Sequence, residues 1–159
     1  MPEPNVFAAG EADVHDVREL LREYAAALTF PLDFQGFDRE LAELPGAYAP
    51  PKGALLVARA DGAAAGCVAL RPLDETTCEL KRLYVRRAHR GRGVGRLLVA
   101  SILEEARRQG YRVMRLDTVP GMEAAQALYE QLGFREIAPY TDNPVEGTRF
   151  LELELDPWI

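Results

Sequence analysis

A chain of 159 residues is one domain's worth of sequence, long enough to bury about 68–70% of its unfolded surface without disulfide or metal staples. Its 48% hydrophobic and 28% charged residues exclude disordered, collagen-like and coiled-coil classes, and no apolar run nears the ~18 residues of a membrane span. A net charge of −6 argues against general nucleic-acid binding.

The expected organisation is a single domain over residues 1–159. The opening Met1-Pro2-Glu3-Pro4 has neither the basic nor the apolar stretch of a signal peptide, so a cytoplasmic location is expected. Val6-Phe7 reads as a short strand. Val14, Val17, Leu21, Tyr24 and Leu28 then recur at helical spacing behind Asp13 as N-cap, until Pro31 stops the pattern. A second, shorter helical pattern covers Asp33 to Leu44. Leu55 to Ala58 is a strand, Asp61-Gly62 a hairpin turn, and Ala65 to Leu70 the returning strand. Thr77 to Val85 alternates most clearly, which predicts Glu79, Lys81, Leu83 and Val85 on one face and Leu80, Arg82 and Tyr84 on the other.

A Gly/Arg-rich loop follows, then a helix whose buried stripe is Val94, Leu97, Leu98, Ile102 and Ala106, closed by Arg107-Arg108-Gln109-Gly110. Val113 to Leu116 is a strand, Met122 to Leu132 a helix, Phe134 to Ile137 a strand, and Arg149 to Leu155 the last strand. With no repeats and no linker, this order predicts one mixed α/β sheet domain. The two cysteines, Cys67 and Cys78, sit in strands; they are too few for a disulfide framework or a four-ligand zinc site, and reduced, unactivated thiols are expected, with no metal.

Charge is unevenly placed. From Leu80 to Leu103 there is no acidic residue, yet that window holds Lys81, Arg82, Arg86, Arg87, Arg90, Arg92 and Arg96, while the rest of the chain carries −13. A basic island in an acidic protein suits a small, highly charged anion. Inside it, Arg90-Gly91-Arg92-Gly93-Val94-Gly95 joins a strand to a helix. Glycines admit close backbone approach, the helix start offers N–H groups and partial positive charge, and arginines add forked donors. These residues read as a pyrophosphate cradle. Gly95-Arg96-Leu97 lacks the Lys-Ser/Thr of a Walker A loop. A dinucleotide GxGxxG fails at Arg96 when started from Gly91, and at Leu98 when started from Gly93.

Arg90-x-x-Gly93-x-Gly95 resembles the R/Q-x-x-G-x-G/A signature of the GNAT (GCN5-related) N-acetyltransferases. Leu83-x-Val85 before it and Ala127-Leu128-Tyr129-x-x-x-Gly133-Phe134 after it also lie where that family has them. The resemblance is specific from Glu79 to Phe134. It implies a central, mostly antiparallel sheet splayed between the fourth and fifth strands, with helices on both faces. It further implies acetyl-CoA, or another short acyl-CoA, as co-substrate and an amine of a small molecule or peptide as acceptor. Neither nucleic acid nor membrane is expected as a partner; oligomeric state, a homodimer included, is left open.

Carried over residue by residue, the resemblance implies that backbone groups of Leu83, Tyr84 and Val85 pair with the pantetheine arm. One N–H there would hold the developing oxyanion. The N–H groups of Gly91, Arg92, Gly93, Val94, Gly95 and Arg96, with the Arg90 side chain, would hold the diphosphate. Tyr129 matches the tyrosine that protonates the departing thiolate. Glu79 lies on the strand that often supplies a general base. Met122 stands where many members have a cofactor-contacting asparagine. For the acceptor, the candidates are Phe34, Asp117, Tyr140 and Asn143; Asp117 also reads as a turn cap, and His15 and His89 as exposed. Two alternatives remain beside the acetyltransferase: an acyl-CoA-binding regulatory module without a working base, and a nucleotide-binding oxidoreductase.

Overall fold

A computed structural model describes residues 4–28 and 36–156. The chain runs β1 (Asn5–Ala8), α1 (Val14–Ala27), α2 (Phe37–Glu43), β2 (Ala54–Ala60), β3 (Ala63–Pro72), β4 (Thr77–Val85), α3 (Val94–Arg108), β5 (Val113–Thr118), α4 (Glu123–Gln131), β6 (Arg135–Ile137) and β7 (Arg149–Glu154). The strands form one sheet in the order β1-β2-β3-β4-β5-β7-β6. Every neighbouring pair is antiparallel except β4 and β5, which are parallel across the α3 connection.

Local chemistry accounts for much of this. Asp61 and Gly62 both take positive φ, 54° and 77°, which is the backbone of a two-residue hairpin turn and sets the β2–β3 register. Asp13 does precede α1, but its carboxylate does not cap the helix. Its Oδ1 accepts from Arg59 Nη2 (2.9 Å) and its Oδ2 from Gly10 N (2.9 Å), and Asp16 Oδ2 takes the same guanidinium (2.8 Å). The start of α1 is thereby pinned to β2, and the Arg59 bond holds the Asp13 carboxyl below its ordinary range.

The sheet separates two cores. On one face α3 and α4 bury Leu98, Val99, Ile102 and Ala106 against Val68, Leu70, Leu80, Met114 and Leu116. On the other, α1 and α2 bury Val17, Leu20, Leu21, Phe37 and Leu41 against Leu55, Val57, Cys67 and Ala69. The second layer covers only the β2–β4 half of its face.

β4 departs from simple alternation. Cys67 pairs with Tyr84 and Ala69 with Lys81, so β4 uses one residue more than β3 over this stretch. Arg82, with φ 62°, sits in that bulge. The face assignment therefore changes midway: Leu80 shares the α3-side core with Leu83 and Val85, whereas Tyr84 packs on the α1 side. The period-2 pattern expected from the sequence is corrected by the extra residue, because one inserted residue exchanges the faces of everything after it.

β4 and β5 pair only over Thr77–Val113, Cys78–Met114 and Glu79–Arg115. Beyond Glu79 and Arg115 each strand continues without the other, and the sheet splays open there.

Candidate functional site

The donor side of the opening is built by backbone. Gly91 and Gly93 take φ of 77° and 80°, conformations that cost an L side chain energy and glycine nothing. Gly93 immediately precedes α3, and the first bond of that helix runs from Leu97 N to Gly93 O (3.0 Å). The N–H groups of Val94, Gly95 and Arg96 consequently have no acceptor within the helix, at the end where its dipole is positive. Val94 and Gly95 border a cavity of about 450 Å³. Leu83, Tyr84 and Val85 of β4, Arg90, Gly91, Gly93, Val94 and Gly95, and Ala125 and Leu128 of α4 form its walls. A floor of glycine backbone at a helix start, continued by an apolar slot along an unpaired strand edge, fits a diphosphate with an elongated, mostly apolar arm.

A second, smaller cavity of about 60 Å³ lies in the splay itself. Lys81 and Arg82 of β4, Asp117 and Thr118 of β5, Tyr129 of α4 and Asn143 of the β6–β7 loop line it. Tyr24, Leu83, Met122 and Ala125 belong to both walls, so the two cavities adjoin at Leu83.

Tyr129 is 5% exposed, its ring tilted against Phe134 at 5.5 Å between centroids. Burial raises its hydroxyl pKa well above the ordinary tyrosine value, so the group stays a protonated donor at working pH. Glu79 lies on β4 and is fully engaged by neighbouring side chains. It is 1% exposed, with Oε1 accepting from Arg71 Nε (2.7 Å) and Oε2 from the Tyr140 hydroxyl (2.5 Å). Both of its oxygens are engaged, and it belongs to the wall of neither cavity. Burial and the adjacent Glu79 carboxylate raise the Tyr140 hydroxyl pKa strongly.

Asp117 is not in a turn: it pairs with Phe150 inside the β5–β7 ladder and faces the smaller cavity. Asn143 Nδ2 donates to its Oδ2 (3.1 Å). One loop thus reaches both banks of the splay, through Tyr140 to Glu79 on β4 and through Asn143 to Asp117 on β5. Phe34 lies outside the described residues.

Three of the seven basic residues of the island, Arg82, Arg86 and Arg92, are paired with acids from elsewhere in the chain. Arg82 is buried and grips Glu40 of α2 with two bonds (2.8 and 2.9 Å), its guanidinium near the Phe37 and Tyr24 rings. Arg86 pairs with Glu23 of α1 (2.7 Å), and Arg92 with Asp61 of the hairpin turn (3.1 Å). Arg96 bonds Gln131. Arg90 donates from Nε to Val85 O (2.9 Å) and, unlike Arg92 and Arg96, lies in the wall of the larger cavity. The wall also includes His89 and Tyr24, for which the sequence pattern implies no site role. His89 is half-buried rather than exposed, and Tyr24 looked like an ordinary member of a helical stripe.

Both thiols are buried. Cys67 donates to Arg82 O and Cys78 to Val113 O, each at 3.5 Å, and burial pushes both thiols up to about 12, far from a reactive thiolate. Among the described residues no helix is long and apolar enough to cross a membrane.

Residues 15–134 match the family model described as "Acetyltransferase (GNAT) family". An uncharacterized N-acetyltransferase of Schizosaccharomyces pombe is 41% identical over 145 residues, covering 90% of this chain and 89% of that protein. A GNAT-family acetyltransferase of Staphylococcus aureus superposes with a TM-score of 0.79 at 20% identity, over 96% of this chain and 99% of that one. The Salmonella typhimurium protein yncA, solved with its cofactor acetyl-CoA, gives a TM-score of 0.70 at 25% identity over 98% and 95% of the two chains.

Proposed function

Because the chain belongs to the GNAT acetyltransferase family and is an N-acetyltransferase, we propose that it moves acetyl from acetyl-CoA directly onto a primary amine of a small molecule or peptide, with no covalent enzyme intermediate. One observation carries the reading: two cavities meet at Leu83 across the splay, one floored by helix-start N–H groups, the other lined by Asp117 and Tyr129.

In this reading the glycine loop and the start of α3 take the diphosphate, with Arg90 beside them, and the free edge of Leu83, Tyr84 and Val85 takes the arm. A β4 N–H polarises the thioester carbonyl. The ammonium of the acceptor gives a proton toward Asp117, and the amine nitrogen attacks the carbonyl carbon. As the tetrahedral adduct collapses, the C–S bond breaks and Tyr129 protonates the leaving sulfur, and the second proton shed by the new amide nitrogen restores the Tyr129 hydroxyl, so that the one proton released overall is the one passed to Asp117. Glu79 holds Arg71 and Tyr140 in place. An acyl-CoA donor supports a cytoplasmic location.

Thiol release from acetyl-CoA across a panel of amines tests the proposal: amine-dependent release with stoichiometric acetylated amine is expected. Tight CoA binding with no amine-dependent release would overturn it.

Asp117 and Glu79 separate by pH. Asp117→Asn is expected to lower kcat/KM by roughly 10²-fold or more near neutrality, with the deficit shrinking at high pH, where the acceptor is already a free amine. Glu79→Gln is expected to cost about 1–3 kcal/mol of stability, through a weakened buried network, and to lower activity equally at every pH. Exchanged pH profiles would make Glu79 the base.

The donor side has its own test. CoA affinity should fall with salt. Arg90→Ala should weaken binding roughly fivefold and flatten the salt dependence, whereas Arg92→Ala and Arg96→Ala, whose side chains face Asp61 and Gln131, should do less. Titration calorimetry at two ionic strengths measures this.

A further inference from the structure

On the acetyl-transfer reading above, we infer that the acceptor is a zwitterion, an amine carrying a carboxylate a few bonds from the reacting nitrogen, as in a free α-amino acid. The smaller cavity has a charge at each bank of the splay: Lys81 on β4 and Asp117 on β5. The arginines around them are each matched to a carboxylate of their own. Arg82 is gripped by Glu40, Arg71 by Glu79 and Arg115 by Glu152 (2.9 Å). Lys81 and Asp117 thus put a positive and a negative side chain on opposite strands of one wall.

Asp117 attracts the ammonium and receives its proton. Lys81 then faces the other end of a short acceptor, joining a substrate carboxylate to the interactions it already makes within the protein. Burial, and after it the neighbouring Arg82, lowers the Lys81 pKa, with Glu79 and Asp117 opposing that shift, so a further anion in the cavity favours the protonated lysine. Other amine classes fit less well. A polyamine brings its second cation toward Lys81 and Arg82. A peptide N-terminus has an amide where the carboxylate would be, and leaves Lys81 without the added anion. The β6–β7 loop, through Asn143 on Asp117, sets the negative pole at a fixed place.

The test compares matched acceptors at saturating acetyl-CoA: free amino acids, their primary amides and the corresponding decarboxylated amines, assayed by thiol release. Wild type is expected to favour the free acid by roughly ten- to a hundredfold in kcat/KM, the worth of a hydrogen bond to a charged group. Lys81→Met should erase that preference, raising KM for the acid by at least roughly tenfold more than KM for the matched amide. Lys81→Arg, which keeps the charge, should retain most of the preference and guards against a merely misfolded variant. Turnover of amides or simple amines at rates equal to the acids, or a preference that survives Lys81→Met, overturns this inference and leaves acetyl transfer standing. Failure of every amine to release thiol overturns both.

Discussion

Tyr129→Phe is expected to lower kcat by about two powers of ten or more, while CoA affinity stays within a small factor. The hydroxyl is useful only as sulfur departs, so its loss raises the barrier without touching ground-state binding. The substitution keeps the ring against Phe134 and the burial of α4 on the sheet. The hydroxyl makes no hydrogen bond to another described residue, so removing it leaves no orphaned partner, and the melting temperature should hold or rise slightly. A structural role alone predicts unchanged kcat. Turnover, CoA affinity and melting temperature on this variant decide between the two, and unchanged turnover removes Tyr129 from the chemistry.

Gly93→Val is expected to abolish measurable CoA binding. Two effects act together. With φ 80° and ψ 7°, Gly93 occupies the left-handed region at the start of α3, where a β-branched residue is strained by at least about 1–2 kcal/mol. A Cβ built there meets no protein atom within 4 Å, so it projects into open space at a position that borders the cavity. Gly93→Asn separates the effects, because asparagine tolerates the left-handed conformation. Its melting temperature should return close to wild type, yet its CoA affinity should remain at least roughly tenfold down, because the side chain still stands in the path of the backbone approach. Normal CoA binding by the asparagine variant would mean that the glycine serves the turn and not the ligand.

The readable features were those written within a few consecutive residues. Asp61-Gly62 makes its own turn, Gly93 begins its own helix, and the apolar stripe of α3 needs only a period of 3.6. The motif from Arg90 to Gly95 is legible for the same reason: strand end, glycine backbone and helix start follow directly along the chain. Each such choice is settled by local sterics and by which side of one element is apolar, so no distant residue has to be known.

Side-chain commitments across the fold were not readable in this way. The acid-free run from Leu80 to Leu103 looked like a field of free positive charge, but Glu23, Glu40 and Asp61 reach it from α1, α2 and the hairpin turn. The partners of Glu79 were not readable either: its second oxygen accepts from Tyr140, sixty-one residues later. The bulge at Arg82 turned Leu83 and Val85 toward the α3-side core, a reversal visible only in the register against β3. Asp117 became a cavity wall because β5 continues past the point where β4 leaves it. A backbone preference is a property of a short segment. An ion pair, a strand register and the parting of two strands depend on segments that meet only after the chain has folded, so only the tertiary structure could assign them.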